Sequence, residues 1–153
     1  MAVKSTIAII ASTKEKAKAV VEKISHKNCR VLLVLKHEDE FAHLQEQIQS
    51  QYPAMELDAI DCMKDGCWEA DVIMLNVNEQ EEKEVAEMIK EVATQKLVIS
   101  FSDSKKGCSE EGLQRLLNHS RVIKVSASGD LCNMSTIGND EEAMRTASSL
   151  LEN

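Results

Sequence analysis

Two hydrophobic rhythms alternate along this chain: short unbroken apolar runs, and stripes that return every three or four residues. Residues 6–10 are a β-branched apolar run of the kind carried by a strand buried on both faces. Behind it, Ala17, Val20, Val21 and Ile24 recur at helical spacing. Residues 30–35 repeat the strand pattern, and Phe41, Leu44 and Ile48 mark the inner side of the next helix, which Pro53 closes. Residues 56–60 alternate and read as a weaker strand at an edge, whereas residues 71–77 are mostly apolar and read as central. An amphipathic helix follows, with Val85, Met88, Ile89 and Val92 expected inward and Glu81, Glu82, Lys83, Glu84 and Lys90 outward. Strands at 96–101 and 121–125 flank a short helix marked by Leu113, Leu116 and Leu117. A last short strand at 134–137 leads to a helix with Ala143, Ala147, Leu150 and Leu151 on its inner side.

Repeated strand–helix units joined by short connections predict an α/β three-layer sandwich, with a mostly parallel sheet covered by helices on both faces. The uninterrupted apolar character of residues 6–10 places that strand in the middle, parallel to the strand at 71–77. A chain of 153 residues suits one domain, spanning 1–153, with one sizeable core.

The order of these elements resembles the deazaflavin-cofactor-dependent NADP oxidoreductases and the N-terminal domains of pyrroline-carboxylate reductases, both built on the Rossmann fold. The resemblance rests on residues 6–10, 69–77, 96–100, 121–125, 138–143 and 149–152, and so covers nearly the whole chain. It is carried by hydrophobic patterning and implies the fold more firmly than the activity. Members with a separate substrate domain continue well beyond the last helix seen here. The departures fall on functional positions. The three glycines of the family's phosphate-binding turn would align with Ala11, Thr13 and Lys16. Those glycines permit the tight turn, the approach of backbone to pyrophosphate and the packing of helix on strand. The residue after the fourth strand, often proline in the family, is Asn78, and the family's asparagine-containing turn after the fifth strand is replaced by Ser102, Asp103 and Ser104.

Ser12 and Glu15 fit a capping box, in which the serine caps the helix and the glutamate reaches back to the cap amide. The donors an anion would use are then partly occupied, and a carboxylate sits beside them. The opposing reading makes Ser12, Thr13 and Lys14 a ligand turn in which Lys14 and Lys16 supply charge instead of glycine geometry. Lys36 and His37, at the end of the second strand, suit a ribose 2′-phosphate or are a solvated strand end. Asn76 and Asn78 lie where open α/β sheets bind ligands, at the carboxyl edge, as does the small polar segment 126–130.

A net charge of −8 argues against a nucleic-acid partner, and an aromatic content of 3% leaves few stacking platforms for single-stranded bases. No apolar run approaches the ~20 residues of a membrane span, and no signal segment precedes the first strand. The five cysteines, Cys29, Cys62, Cys67, Cys108 and Cys132, are odd in number and lack CxxC spacing. They read as reduced thiols of a cytoplasmic protein, with no disulfide and no metal site. Cys108, preceded by Lys105 and Lys106, is the better candidate for a reactive thiol. The four histidines have no motif context, so no catalytic triad can be assembled and no catalytic residue is assigned.

Two functions follow. The first is a stand-alone Rossmann-like domain with a degenerate turn, non-catalytic and acting through an unknown protein partner or as a homodimer through helix surfaces. The alternative is an NADP-binding oxidoreductase of the deazaflavin-dependent type. No cofactor follows from the residues themselves, and NADP is the one the resemblance leaves open.

Overall fold

The computed structural model describes residues 5–25, 27–34, 43–101, 110–127, 134–137 and 141–151. Its strands are β1 (Ser5–Ala11), β2 (Cys29–Val34), β3 (Glu56–Ile60), β4 (Val72–Asn76), β5 (Leu97–Ser100), β6 (Arg121–Ala127) and β7 (Met134–Ile137). Its helices are α1 (Lys14–Ile24), α2 (Leu44–Gln51), α3 (Met63–Glu69), α4 (Glu79–Ile89), α5 (Glu110–Leu116) and α6 (Glu141–Leu151). The strands form one sheet in the order β3-β2-β1-β4-β5-β6-β7, parallel from β3 to β6, with β7 antiparallel to β6.

β1 lies inside the sheet between β2 and β4, as its apolar run requires. Ile7, Ile9 and Ile10 have no exposed surface, and each contributes about 1.5–3 kcal/mol by leaving water. Successive residues of β1 serve opposite faces: Ile7 and Ile9 join the cluster under α1, α2 and α6, while Ala8 and Ile10 join the one under α3, α4 and α5. β3 is at an edge, and its outward Glu56 and Asp58 discourage pairing with another chain. The exposed pair Arg30–Asp58, 2.9 Å apart, ties that edge to β2.

Two sequence expectations are corrected, and one helix adds to the elements read from the sequence. α3, between β3 and β4, leaves almost no hydrophobic stripe in the sequence. It forms because Gly66 lets the helix settle on the sheet: a Cβ there would sit 3.2 Å from Val34 Cγ2. Met88 does not face inward but is 49% exposed, and with Trp68, 72% exposed, it marks the outer side of the α3 and α4 layer. Glu82 does the reverse. It is fully buried, because two polar side chains under α4 demand a carboxylate.

Candidate functional site

In this strand order the chain leaves β1 toward β2 on one side and returns through β4 on the other, so a crevice opens at the carboxyl ends of β1 and β4. That switch point is where open α/β sheets receive ligands. Ser12, Thr13, Lys14, Asn76 and Asn78 all come together there. Lys36 and His37 lie outside the described residues, as do Ser102 to Ser104, Cys108, Cys132 and most of the 126–130 segment.

The turn itself differs from the capping box read in the sequence. The cap of α1 is Thr13, extended at φ −135° and ψ 161°, and its Oγ1 accepts from the Lys16 amide at 3.2 Å. The box fails because it is one residue out of register: three positions after the true cap stands Lys16, which has no carboxylate to return. Glu15 projects into solvent. Among the described residues, no protein acceptor meets the amides of Thr13, Lys14 and Glu15. The start of α1, next to the carboxyl end of β1, therefore keeps three donors without protein acceptors among the described residues, at the positive end of the helix dipole.

Ser12, freed from capping, bridges the two sides of the crevice. Its amide donates to the Asn76 carbonyl at 3.1 Å, and its Oγ accepts from the Asn78 amide at 2.6 Å and donates to Glu81 Oε2 at 3.0 Å. Asn76 Nδ2 donates to the Lys16 carbonyl at 3.0 Å, and Lys16 Nζ donates to Asn78 Oδ1 at 3.0 Å. Where a third glycine would let helix and strand approach directly, α1 is held to β4 through an asparagine side chain. Sequence reasoning found Ser12 and both asparagines but missed Lys16 as the asparagines' partner and Glu81 as that of Ser12, since contacts at 60 or more residues of separation leave no local signal.

Beneath this edge lies a second polar group. Lys124 Nζ donates to Glu82 Oε1 at 2.6 Å, and Ser100 Oγ donates to Glu82 Oε2 at 2.6 Å. Lys124 is 1% exposed, and Glu82 and Ser100 have no exposed surface. Ser100 and Lys124 are register partners on neighbouring strands, so one carboxylate from α4 can reach both.

Of the described thiols, Cys29 opens β2, Cys62 caps α3 just after β3, and Cys67 lies within α3. Cys29 and Cys67 are buried and Cys62 is exposed; burial pushes the Cys67 thiol up to about 12, against the nearby Lys96 charge that favours the thiolate. Lys96 Nζ donates to the Cys67 and Trp68 carbonyls at the end of α3, and its ring contact with Trp68 is 5.8 Å from the centroid. The same burial lowers the Lys96 pKa. Clefts of ≈ 390 Å³ beside Tyr52 and Cys29, and of ≈ 620 Å³ between α4 and α5 beside Arg115 and His119, open toward the opposite end of the strands. Among the described residues, no helix is long and apolar enough to cross a membrane.

No family model and no curated protein sequence matches the chain. Solved structures do. A pyrroline-5-carboxylate reductase from Coxiella burnetii superposes with a TM-score of 0.70 at 18% identity, over 97% of this chain and 56% of that one. A protein described as an F420-dependent NADP-reductase from Arthrobacter gives 0.68 at 15% identity, over 98% of this chain and 80% of that one. An imine reductase from Pseudomonas gives 0.69 at 9% identity, over 98% of this chain and 54% of that one. The chain thus spans little more than half the length of the pyrroline-5-carboxylate and imine reductases. Identities this low speak for architecture alone, and on architecture they agree: the chain is a divergent Rossmann-type domain, the fold of these reductases.

Proposed function

We propose that this chain is a nucleotide-binding domain of the NADP-dependent oxidoreductase type, taking the pyrophosphate at the start of α1. The observation that carries the reading is the open first turn. The amides of Thr13, Lys14 and Glu15, at the start of α1 beside the carboxyl end of β1, have no protein acceptors among the described residues, and Lys14 and Lys16 add positive charge beside them. The fold shared with reductases supports it. Ala11 and Thr13 carry Cβ atoms where glycines would permit the tight turn and bring backbone against phosphate, so the binding is weaker than that of a glycine turn and leans on lysine charge. Asn76 and Asn78 stand at the β4 end of the crevice, where they can hydrogen-bond the far end of the cofactor.

A second reading, a degenerate domain that binds no dinucleotide and works through protein contacts, is favoured by one feature. Ser12 and Lys16 spend their side chains on Asn78 and Glu81, and Glu81 brings a carboxylate to the crevice.

Thermal melting with millimolar NADPH, NADP, NADH and ATP separates the two, because ligand at a hundred times its dissociation constant adds about 2.7 kcal/mol. An NADPH-selective rise that Lys14→Ala and Lys16→Ala diminish supports the nucleotide reading. Absence of any rise, with binding gained only when Ala11, Thr13 and Lys16 are replaced by glycine, supports the degenerate one.

A further inference from the structure

We infer that Lys124, Glu82 and Ser100 are positioning residues that set the nucleotide crevice by fixing the first turn of α4; the nucleotide part of this inference rests on the function proposed above. Glu81 and Glu82 are neighbours on that turn and reach in opposite directions. Glu81 accepts from Ser12 in the β1–α1 turn, and Glu82 accepts from Ser100 and Lys124 on β5 and β6. Both residues' amides donate to the Asn78 carbonyl, so the loop that presents Asn78 is part of the same turn. Asn78 in turn meets Ser12 and Lys16. A continuous set of hydrogen bonds thus runs from β6, through α4, to the capped start of α1.

A buried ion pair is a costly way to hold a helix when apolar side chains of the same size would hold it at least as firmly. What the pair adds is direction. Two 2.6 Å bonds at the two oxygens of one carboxylate fix the rotation of α4 about its axis and its position along the sheet. A greasy contact tolerates sliding by fractions of an ångström, and a binding site loosened by about 1 Å loses its function before its fold.

The test uses the full chain and two variants. In the apolar replacement Glu82→Leu, Lys124→Met and Ser100→Ala, the layer under α4 is refilled with side chains of similar size. Ser100→Ala alone is the mild variant, removing one hydroxyl that donates to Glu82. Hydrogen exchange of the Asn78 amide, which is bonded to Ser12, reads the position of the turn without any ligand. NADPH titration reads the site. In the apolar replacement we expect Asn78 exchange about tenfold faster and NADPH binding about tenfold weaker, with the melting temperature held near wild type. Ser100→Ala should move both in the same direction by about threefold. Asn78 exchange at the wild-type rate in Ser100→Ala, or in a folded apolar replacement, overturns the inference. Should wild type bind no NADPH, the proposed function falls, while exchange at Asn78 still decides whether these residues position the turn.

Discussion

Beneath α1, α2 and α6 the sheet offers Ile7, Ile9, Leu33, Met74 and Ile99, an apolar layer with nothing to satisfy. Beneath α4 the other face of the sheet turns Ser100 of β5 and Lys124 of β6 inward, and a glutamate must descend from the helix to meet them. The first face is held by area and shape, so its tolerance is set by volume. The second is held partly by matched polar atoms, so removing one partner takes a short, charge-assisted bond from the others in a dry environment. The difference shows which face is held by apolar packing and which adds matched polar bonds. The apolar face is where any well-packed sequence would serve; the α4 face carries a specific geometry up to the crevice.

The largest expected effect tests that contrast directly. Glu82→Leu alone removes the carboxylate under Lys124 and should cost about 3–5 kcal/mol in urea unfolding. Ile9→Val, on the apolar face, should cost only about 0.5–1.5 kcal/mol. Equal losses would erase the distinction between the two faces.

At the crevice the contrast becomes one between residues that bind protein and one that does not. Ser12→Ala leaves the Asn78 amide without its acceptor and should cost about 1–2 kcal/mol, and Thr13→Ala removes the cap and should cost about 1 kcal/mol. Glu15→Ala should stay within about 0.5 kcal/mol. A loss at Glu15 matching that at Thr13 would restore the capping box that the geometry denies.

Cys67, on the α4 face, supplies a pH test. Its pKa in the folded chain is pushed up to about 12, so between its ordinary value and 12 the unfolded chain loses a proton that the folded chain keeps. The stabilising contribution is complete below the ordinary thiol pKa and declines as pH rises above it, by at most about 1.4 kcal/mol per pH unit. Melting from pH 8 to 10 should fall more steeply in wild type than in Cys67→Ala. Alkylation of the native chain at neutral pH should mark Cys62, whereas Cys29 and Cys67 should react only on unfolding.

A gain in place of a loss is expected at the other end of the strands. Gln95 is exposed and held at φ 67° while its amide donates to the His119 carbonyl at 2.7 Å. Gln95→Gly should relieve that backbone conformation and raise stability by up to about 1 kcal/mol, visible as a higher melting temperature.

The interior place of β1, its parallel relation to β4 and the edge place of β3 were legible because burial on one face or two writes itself into neighbouring residues, whereas the full strand order was not. α3 was not, since its seven residues rely on Gly66 for close approach rather than on a stripe. Ser12, Thr13, Lys14, Asn76 and Asn78 were legible as an edge cluster, because strand ends fall at predictable places. Their bonding was not, because which of two adjacent hydroxyl residues caps α1 depends on where Asn78 and Glu81 arrive from across the crevice.

The sequence by itself determined a parallel α/β sheet, its apolar centre and a turn without glycine, all properties set within a few residues by period and side-chain shape. Only the tertiary structure decided that Glu82 is buried, that Glu15 leaves the first turn of α1 open, and that Ser12 bridges two loops. Each of those outcomes depends on a partner more than 15 residues away, such as Ser100, Lys124 or Asn78. A polar side chain's fate is decided by whether such a partner meets it in the absence of water, and periodicity carries no record of that meeting.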